Sequence, residues 1–289
     1  MTGELAVTGE LAVTGDSAVT VDLVVKLGGA AIEGGGLAAV AGDLAALSRE
    51  RRIVVVHGGG AQTSALQESL GQTPTKIGGR RLTDAAGLDA LKMAVGGKLN
   101  IDVCAALLGA GAQPIGLHGA SSLAIEATRR PPSVITGGGP EPVDLGLVGD
   151  VVALNQRLLG LLLDHGWLPV LACIGADRDG QVYNINADVV ANRTAVELGC
   201  DALVLITSVP GVLQDAADPA SRIARITRAE SQAAIASGVV SGGMIPKLEE
   251  SFAAIAAGVG RIHILGNIGP GDLRRELDDP GSIGTALLP

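Results

Sequence analysis

Short apolar runs bounded by glycine or polar residues alternate along this chain with longer stretches of helical spacing. Residues 54–56 read Val-Val-Val, and three β-branched residues in a row predict a buried strand of a parallel sheet, covered on both faces. His57 and the glycines Gly58, Gly59 and Gly60 follow, and residues 61–70 have helical spacing. The glycines therefore stand at a predicted helix N-terminus, where free amides and the dipole favour an anion. Residues 23–30 predict a first strand and its turn, with Lys26 near the strand's end, and residues 37–52 predict a helix. Further on, the pattern predicts a helix over 89–108 and short strands over 115–117, over 123–128 and around 151–152. A helix over 155–165 and one apolar strand over 168–174 come next. Residues 181–188 read as an extended segment, in which alternation puts Asn184, Asn186 and Asp188 on one side, just before a helix over 189–198. A strand over 202–206, a helix from the 242–247 turn to about 257, a strand over 261–265 and a glycine turn at 281–285 complete the pattern.

Strands alternating with helices predict an α/β fold with a mainly parallel sheet and right-handed crossovers. Ligands of such sheets bind at the carboxyl ends of the strands. Lys26, Gly58 to Gly60, Ser208 and Gly211 all fall at that end.

The length, 289 residues, suits one large α/β domain or two lobes around one sheet. Hydrophobic residues make up 47% of the chain, yet Phe252, Tyr183 and Trp167 are its only aromatics, so Ala, Val, Leu and Ile must build the core. A net charge of −9 argues against a nucleic-acid or anionic membrane surface. Any phosphate must then be met by a few placed lysines. Cys104, Cys173 and Cys200 fit no metal-ligand spacing and read as small hydrophobes in a reducing compartment. The charge-free run 103–125 is broken by Gly, Gln, Pro, His and Ser and does not read as a membrane span. The N-terminus lacks a basic region followed by an apolar block, so a cytoplasmic location is expected. Residues 2–20 carry a six-residue repeat, TGELAV, TGELAV, TGDSAV, which fits no helical period and predicts a mobile tail over 1–21.

Several positions invite chemistry. Lys26, beside Gly28 and Gly29, can reach into a crevice at the sheet's end or simply close an edge strand. The loop 78–84 carries Arg80 and Arg81, and an arginine fork matches a carboxylate at two points, although most such arginines are surface residues. Thr83 or Asp84 suits the cap of the next helix. Asn184, Asn186 and Asp188 suit a polar site, with helix capping by Asp188 and turn-forming asparagines as the structural alternatives. Gly34, Gly36 and Ala39 formally match G-x-G-x-x-A, but the next strand ends in His57-Gly58 where a dinucleotide fold needs an acid. No G-x-x-x-x-G-K-[ST] loop occurs.

Taken together, KLGG at 26–29, VHGGG at 56–60, GGRRLTD at 78–84, GKLN at 97–100, DLGLVGDV at 144–151, NINAD at 184–188 and GGMIPK at 242–247 resemble the amino acid kinase family, in family order, from about residue 22 onward. The resemblance implies a three-layer αβα sandwich with a mainly parallel open sheet. Residues of about 22–175 would form an acceptor-binding lobe and those of about 176–289 an ATP-binding lobe. It implies ATP-dependent phosphorylation of the side-chain carboxylate of N-acetyl-L-glutamate, a step of arginine biosynthesis, with Mg2+ bound through the nucleotide. Lys26 and Lys247 would hold the transferring phosphoryl group and Asp188 would orient both. Gly59 and Gly60 would bind the reacting carboxylate, Arg81 the other carboxylate, and Asn184 the acetylated amino acid, with Asn186 beside it. Gly29, Ser208, Gly211, Val212, Leu213, Gly243 and Met244 would line the nucleotide. Neither nucleic acid nor membrane is an expected partner, whereas a homodimer or higher homo-oligomer is.

The chain departs from the family pattern in places. Ser208 stands where T-D-V-P-G-V usually has Asp, and residues 116–127 read GLHGASSLAIEA where relatives more often read G-L-S-G-x-D-G-x-L. Gly266-Asn267-Ile268 lacks the usual D-G-R. The glycine-containing repeat does not match the N-terminal helix of arginine-inhibited members. Two alternatives stand beside the main expectation: a sister kinase for N-acetylaminoadipate, carbamate or aspartate, and a non-catalytic amino-acid or nucleotide sensor.

Overall fold

A computed structural model describes residues 19–32, 36–135, 138–266 and 268–289. The six-residue repeat lies, apart from Val19 and Thr20, outside the described residues.

The strands, in chain order, are β1 (Leu23–Leu27), β2 (Ile53–His57), β3 (Lys76–Ile77), β4 (Arg80–Arg81), β5 (Pro114–Leu117), β6 (Ile125–Arg129), β7 (Gly149–Leu154), β8 (Leu168–Ala172), β9 (Ile174–Ala176), β10 (Val182–Asn184), β11 (Ala202–Ile206), β12 (Arg225–Thr227), β13 (Arg261–Leu265) and β14 (Thr285–Leu288). Eight of them form the main sheet in the order β12-β14-β13-β11-β1-β2-β8-β5. All its pairings are parallel except β13 with β14, so the expected mainly parallel sheet is present. β10-β9-β6-β7 form a second sheet, and β3 and β4 a small hairpin.

The helices are α1 (Gly29–Ile32), α2 (Gly36–Leu47), α3 (Gly60–Ser69), α4 (Ala85–Leu91), α5 (Asn100–Gly109), α6 (Gln156–Asp164), α7 (Ala187–Glu197), α8 (Arg228–Ala236), α9 (Met244–Ala256) and α10 (Asp272–Asp278), with a π-helical stretch over Lys92–Leu99. Alternation along the central strands divides the core in two. Val24, Val54, Val56, Leu203 and Leu205 face a cluster that includes Val190 and Ala195 of α7 and Leu248 and Phe252 of α9. Leu23, Val25, Leu27, Val55 and Val204 face the opposite cluster, with Val40 and Leu44 of α2, Val103 of α5 and Leu273 of α10. Burial on both faces is why these strands are apolar but for Lys26 and His57 near their carboxyl ends, and it yields three αβα layers.

Several local expectations need correction. The predicted strand 168–174 is two strands in two sheets, separated at Cys173. A continuous apolar run carries no mark of such a switch. The break is set by packing, since a Cβ on Gly175 would stand 2.5 Å from both Ala127 and Ile185 side-chain atoms. The predicted helix 89–108 is α4, the π-helical stretch and α5 in succession. The extended segment ends at Asn184, and Asn186, not Asp188, caps α7 by accepting a hydrogen bond from the Asp188 amide at 2.8 Å. The helix expected over 37–52 stops at Leu47. Strands β12 and β14 and helices α8 and α10 were not expected at all.

Candidate active site

Three elements converge at the carboxyl end of the main sheet. β1 lies at its centre, with Lys26 in register with Val56 on β2 and Leu205 on β11, so its side chain emerges beside the ends of both neighbours. α7 brings Asp188 in its first turn, where a carboxylate complements the helix dipole. α9 brings Lys247 in its own first turn, after the Gly242-Gly243 turn. Lys247 Nζ donates to Asp188 Oδ2 at 2.5 Å, and Lys26 Nζ lies 2.8 Å from Asp188 Oδ1. An ammonium carries three N–H groups, so Lys26 keeps donors for another acceptor beside its contact with Asp188. Burial pushes the Asp188 carboxyl up, but the two lysines outweigh it and hold the group at about 2. Asp188 is therefore a fixed anion between two cations.

This triplet separates two cavities. The first, about 290 Å³, is lined by Lys26, Gly58, Gly59, Gly60, Arg81, Asn184 and Asn186. All five residues expected at the acceptor line it together. The second, about 390 Å³, is lined by Ser208, Gly211, Val212, Leu213, Gly243, Met244 and Lys247. Of the expected nucleotide residues only Gly29 lies elsewhere, in the first cavity. One lysine faces each cavity and Asp188 joins them.

The glycine loop is shaped by what surrounds it. A Cβ on Gly59 would stand 2.3 Å from Leu99 Cδ1 and 2.8 Å from Val95 Cγ2. Both belong to the π-helical stretch, whose wider turn brings them against the loop. Arg81, on the β3–β4 hairpin, donates to the Gly60 carbonyl and to Ser64 Oγ, each at 2.7 Å, and to Gln67 Oε1 at 2.5 Å. The guanidinium thus anchors the first turns of α3 while lining the first cavity, and burial lowers its pKa. Asp84 caps α4 by accepting from the Gly87 amide at 2.7 Å. Asn184 Nδ2 donates to Thr83 Oγ1 at 3.0 Å, which fixes the side chain at the cavity wall.

His57 is fully buried, with Nδ1 3.0 Å from the Gly58 carbonyl and Nε2 2.9 Å from Asn100 Nδ2. The Asn100 amide nitrogen only donates, so Nε2 accepts and Nδ1 carries the proton toward the Gly58 carbonyl. Burial lowers its pKa against the opposing pull of the Gly58 carbonyl, which keeps the ring neutral and structural. Asn100, from the GKLN motif, also donates to the Val170 carbonyl at 3.2 Å. Burial pushes the Cys173 thiol up to about 11 even beside Lys26, so it stays protonated. Lys76, Arg80 and Arg130 also line the first cavity. The paired arginines of the 78–84 loop hinted at Arg80, but nothing in sequence connects Arg130 to this place.

Residues 23–266 match the amino acid kinase family. The chain belongs to that family. Acetylglutamate kinase of Sorangium cellulosum (strain So ce56) is 62% identical to it over 268 residues, covering 92% of this chain and 94% of that one. Acetylglutamate kinase of Anaeromyxobacter dehalogenans (strain 2CP-1 / ATCC BAA-258) is 54% identical over 267 residues, covering 92% and 98%. Among solved structures, N-acetylglutamate synthase from Neisseria gonorrhoeae, complexed with coenzyme A and N-acetyl-glutamate, superposes with a TM-score of 0.78 at 25% identity. That match covers 94% of this chain and 60% of the other. Carbamate kinase from Giardia lamblia bound to AMP-PNP shares the fold at a TM-score of 0.65 and 16% identity, over 94% and 99% of the two chains. The amino acid kinase motifs seen in the sequence fall on the walls of the two cavities or, as with His57 and Asn100, directly behind them. Ser208, where the family usually has Asp, is exposed on the wall of the second cavity.

Proposed function

We propose that this chain transfers the γ-phosphoryl group of ATP to the side-chain carboxylate of N-acetyl-L-glutamate, giving N-acetylglutamyl 5-phosphate for arginine biosynthesis in the cytoplasm. The observation that carries the reading is the Lys26–Asp188–Lys247 triplet, in which one carboxylate links a lysine on the wall of each cavity. The names of relatives up to 62% identical support the choice of acceptor.

N-acetylglutamate occupies the first cavity, its reacting carboxylate on the Gly59 and Gly60 amides and its other carboxylate beside Arg81. Asn184 meets the acetylated amino acid, with Asn186 alongside. The adenine nucleotide occupies the second cavity, against Ser208, Gly211, Val212, Leu213, Gly243 and Met244. This divides the chain at about residue 175 into an acceptor side and a nucleotide side, with Asn184 and Asn186 reaching back across. A carboxylate oxygen forms a bond to the γ-phosphorus while the bond from that phosphorus to the ADP oxygen breaks. Charge on the transferring group's oxygens is balanced by Lys26 from one side and Lys247 from the other, and Asp188 holds both ammoniums in place. The acceptor is already an anion, so no general base is needed, which agrees with a neutral, buried His57. The nucleotide's phosphates would hold Mg2+, which would supply further charge neutralisation there. Asp188, with both oxygens turned to lysines, is left to orient them.

The same reading includes a homodimer or larger homo-oligomer. The edge strand β5 and the exposed Ile101 and Leu108 on α5 offer a second copy an apolar face. Sedimentation velocity over a range of concentrations tests this, and a monomer throughout removes it.

Incubation with Mg-ATP and hydroxylamine tests the reaction, with N-acetylglutamate compared against N-acetylaminoadipate, aspartate and carbamate. Hydroxamate from N-acetylglutamate in clear preference is expected. Preference for another acceptor would replace the substrate, and ATP binding with no product from any would favour a sensor.

A further inference from the structure

Behind the second cavity, away from both lysines, lies a buried carboxylate that the phosphoryl-transfer scheme does not use. Glu276, on α10, has no solvent exposure. Its Oε1 accepts from the Gly281 amide at 2.8 Å and pairs with His263 Nδ1 at 2.7 Å. Its Oε2 accepts from the Ile283 amide at 2.8 Å and the Gly284 amide at 3.0 Å. Four donors thus converge on two oxygens, a task for an ionised carboxylate, which only accepts. The turn they bind leads directly into Thr285, also fully buried. Thr285 Oγ1 accepts from the Val212 amide at 2.8 Å and donates to the Ile223 carbonyl at 2.6 Å. Gly211 lies so close that an added Cβ would stand 2.5 Å from Thr285 Oγ1. Its φ of +151° also disfavours other side chains. From the other side, Arg222 Nη1 donates to the Gly281 carbonyl at 3.0 Å and to the Gly284 carbonyl. Arg222 also bridges to Leu213.

We propose that Glu276 is a positioning residue for nucleotide binding. Its carboxylate fixes the 281–284 turn, the turn fixes Thr285 Oγ1 beneath the Val212 amide, and Thr285 holds the 211–213 loop in the shape that receives the nucleotide. The reach is one-sided: the chain of bonds ends on the wall of the second cavity and makes no contact with the glycine loop or Arg81. Glu276 therefore sets nucleotide affinity and leaves acceptor binding alone. The inference rests on the reading of the second cavity as the nucleotide site.

The test uses the full chain with Glu276→Gln, Thr285→Val and Thr285→Ser. A Gln has one acceptor oxygen, so its amide group would face backbone amides it cannot bind. Thr285→Val keeps the shape, deprives the Val212 amide of its acceptor, and leaves Glu276 untouched, so it decides the matter if Glu276→Gln does not fold. ATP dissociation constants by calorimetry and separate Michaelis constants for ATP and N-acetylglutamate are read beside the melting temperature. Glu276→Gln and Thr285→Val are expected to weaken ATP by about tenfold, the scale of one lost buried hydrogen bond, and the acceptor by less than about twofold. Thr285→Ser, which retains the hydroxyl, is expected to return ATP affinity to within about twofold of wild type. Unchanged ATP affinity in a folded Thr285→Val protein overturns the proposal, as does equal weakening of ATP and acceptor. Wild-type protein that binds ATP but phosphorylates nothing would sink the proposed reaction and leave this binding test intact. Wild-type protein that binds no ATP would overturn both.

Discussion

Asp188→Asn keeps the size of the side chain and removes the charge between two ammoniums. The lysines stand 2.8 and 2.5 Å from opposite oxygens of one carboxylate, which places them roughly 5–7 Å apart. At an effective dielectric of about 20, their repulsion is roughly 2–3 kcal/mol once the anion is gone. Either one ammonium swings away or one loses its proton, and both outcomes withdraw positive charge from the transferring phosphoryl group. A displacement of this kind costs about a hundredfold in kcat. The substitution leaves Arg81 and the glycine amides, the proposed acceptor contacts, in place, so the acceptor's Michaelis constant is expected to change by a few fold at most. Stability carries a second signature. The folded Asp188 titrates at about 2, against 3.8 as its ordinary value. A depressed carboxyl pKa stabilises the fold above the ordinary value, and that contribution disappears as pH falls from about 4 through about 2. The gap corresponds to about 2 kcal/mol. Hydroxamate assays give kcat, and urea melts across that acid range give the linkage. Turnover within about threefold of wild type would refute the argument.

Lys247→Ala is expected to lower kcat by about a thousandfold while the Michaelis constant for N-acetylglutamate moves only a few fold, because this contact strengthens as charge develops in transfer. Unchanged turnover would remove Lys247 from the mechanism. Arg81→Ala loses the anchor of the Gly60 carbonyl and Ser64 and, with it, the guanidinium proposed to meet the acceptor's second carboxylate. It should raise the acceptor's Michaelis constant by about tenfold to a hundredfold in initial-rate assays, and a normal constant would show that the carboxylate is held elsewhere. His57 has its folded pKa lowered by burial, so its contribution to stability is present above about 6.5 and lost as pH falls below it. Urea midpoints between pH 8 and pH 5 should slope accordingly, flatten in His57→Gln at a lower overall stability, and leave the pH profile of kcat without a His57 limb.

The features readable in the chain were those whose cause is local. A β-branched run before three glycines and a helix can hardly fold as anything but a strand, a close turn and a helix N-terminus, and Val54 to Gly60 do so. Lys26, Asp188 and Lys247 stand within the short motifs KLGG, NINAD and GGMIPK, and the family resemblance of those motifs singled them out. What stayed hidden is decided by distant parts of the chain. The switch of sheets at Cys173 depends on Ala127 and Ile185 closing on Gly175. The alternation of Asn184, Asn186 and Asp188 suggested one extended face, but capping by Asn186 starts a helix and turns Asp188 toward the lysines. Strand β14 has its polar and glycine-rich approach stabilised by Glu276, and no spacing rule ties that residue to residues 281–284.

Transfer of label from γ-32P-ATP to N-acetylglutamate, compared in wild type, Lys26→Ala and Lys247→Ala, tests the central claim most directly. The account predicts an acid-labile, hydroxylamine-sensitive labelled acyl phosphate from the wild-type protein and almost none from either variant, with N-acetylglutamate still bound by both. Label transfer that survives loss of either lysine would contradict it, as would a wild-type protein that binds ATP and N-acetylglutamate together and transfers nothing.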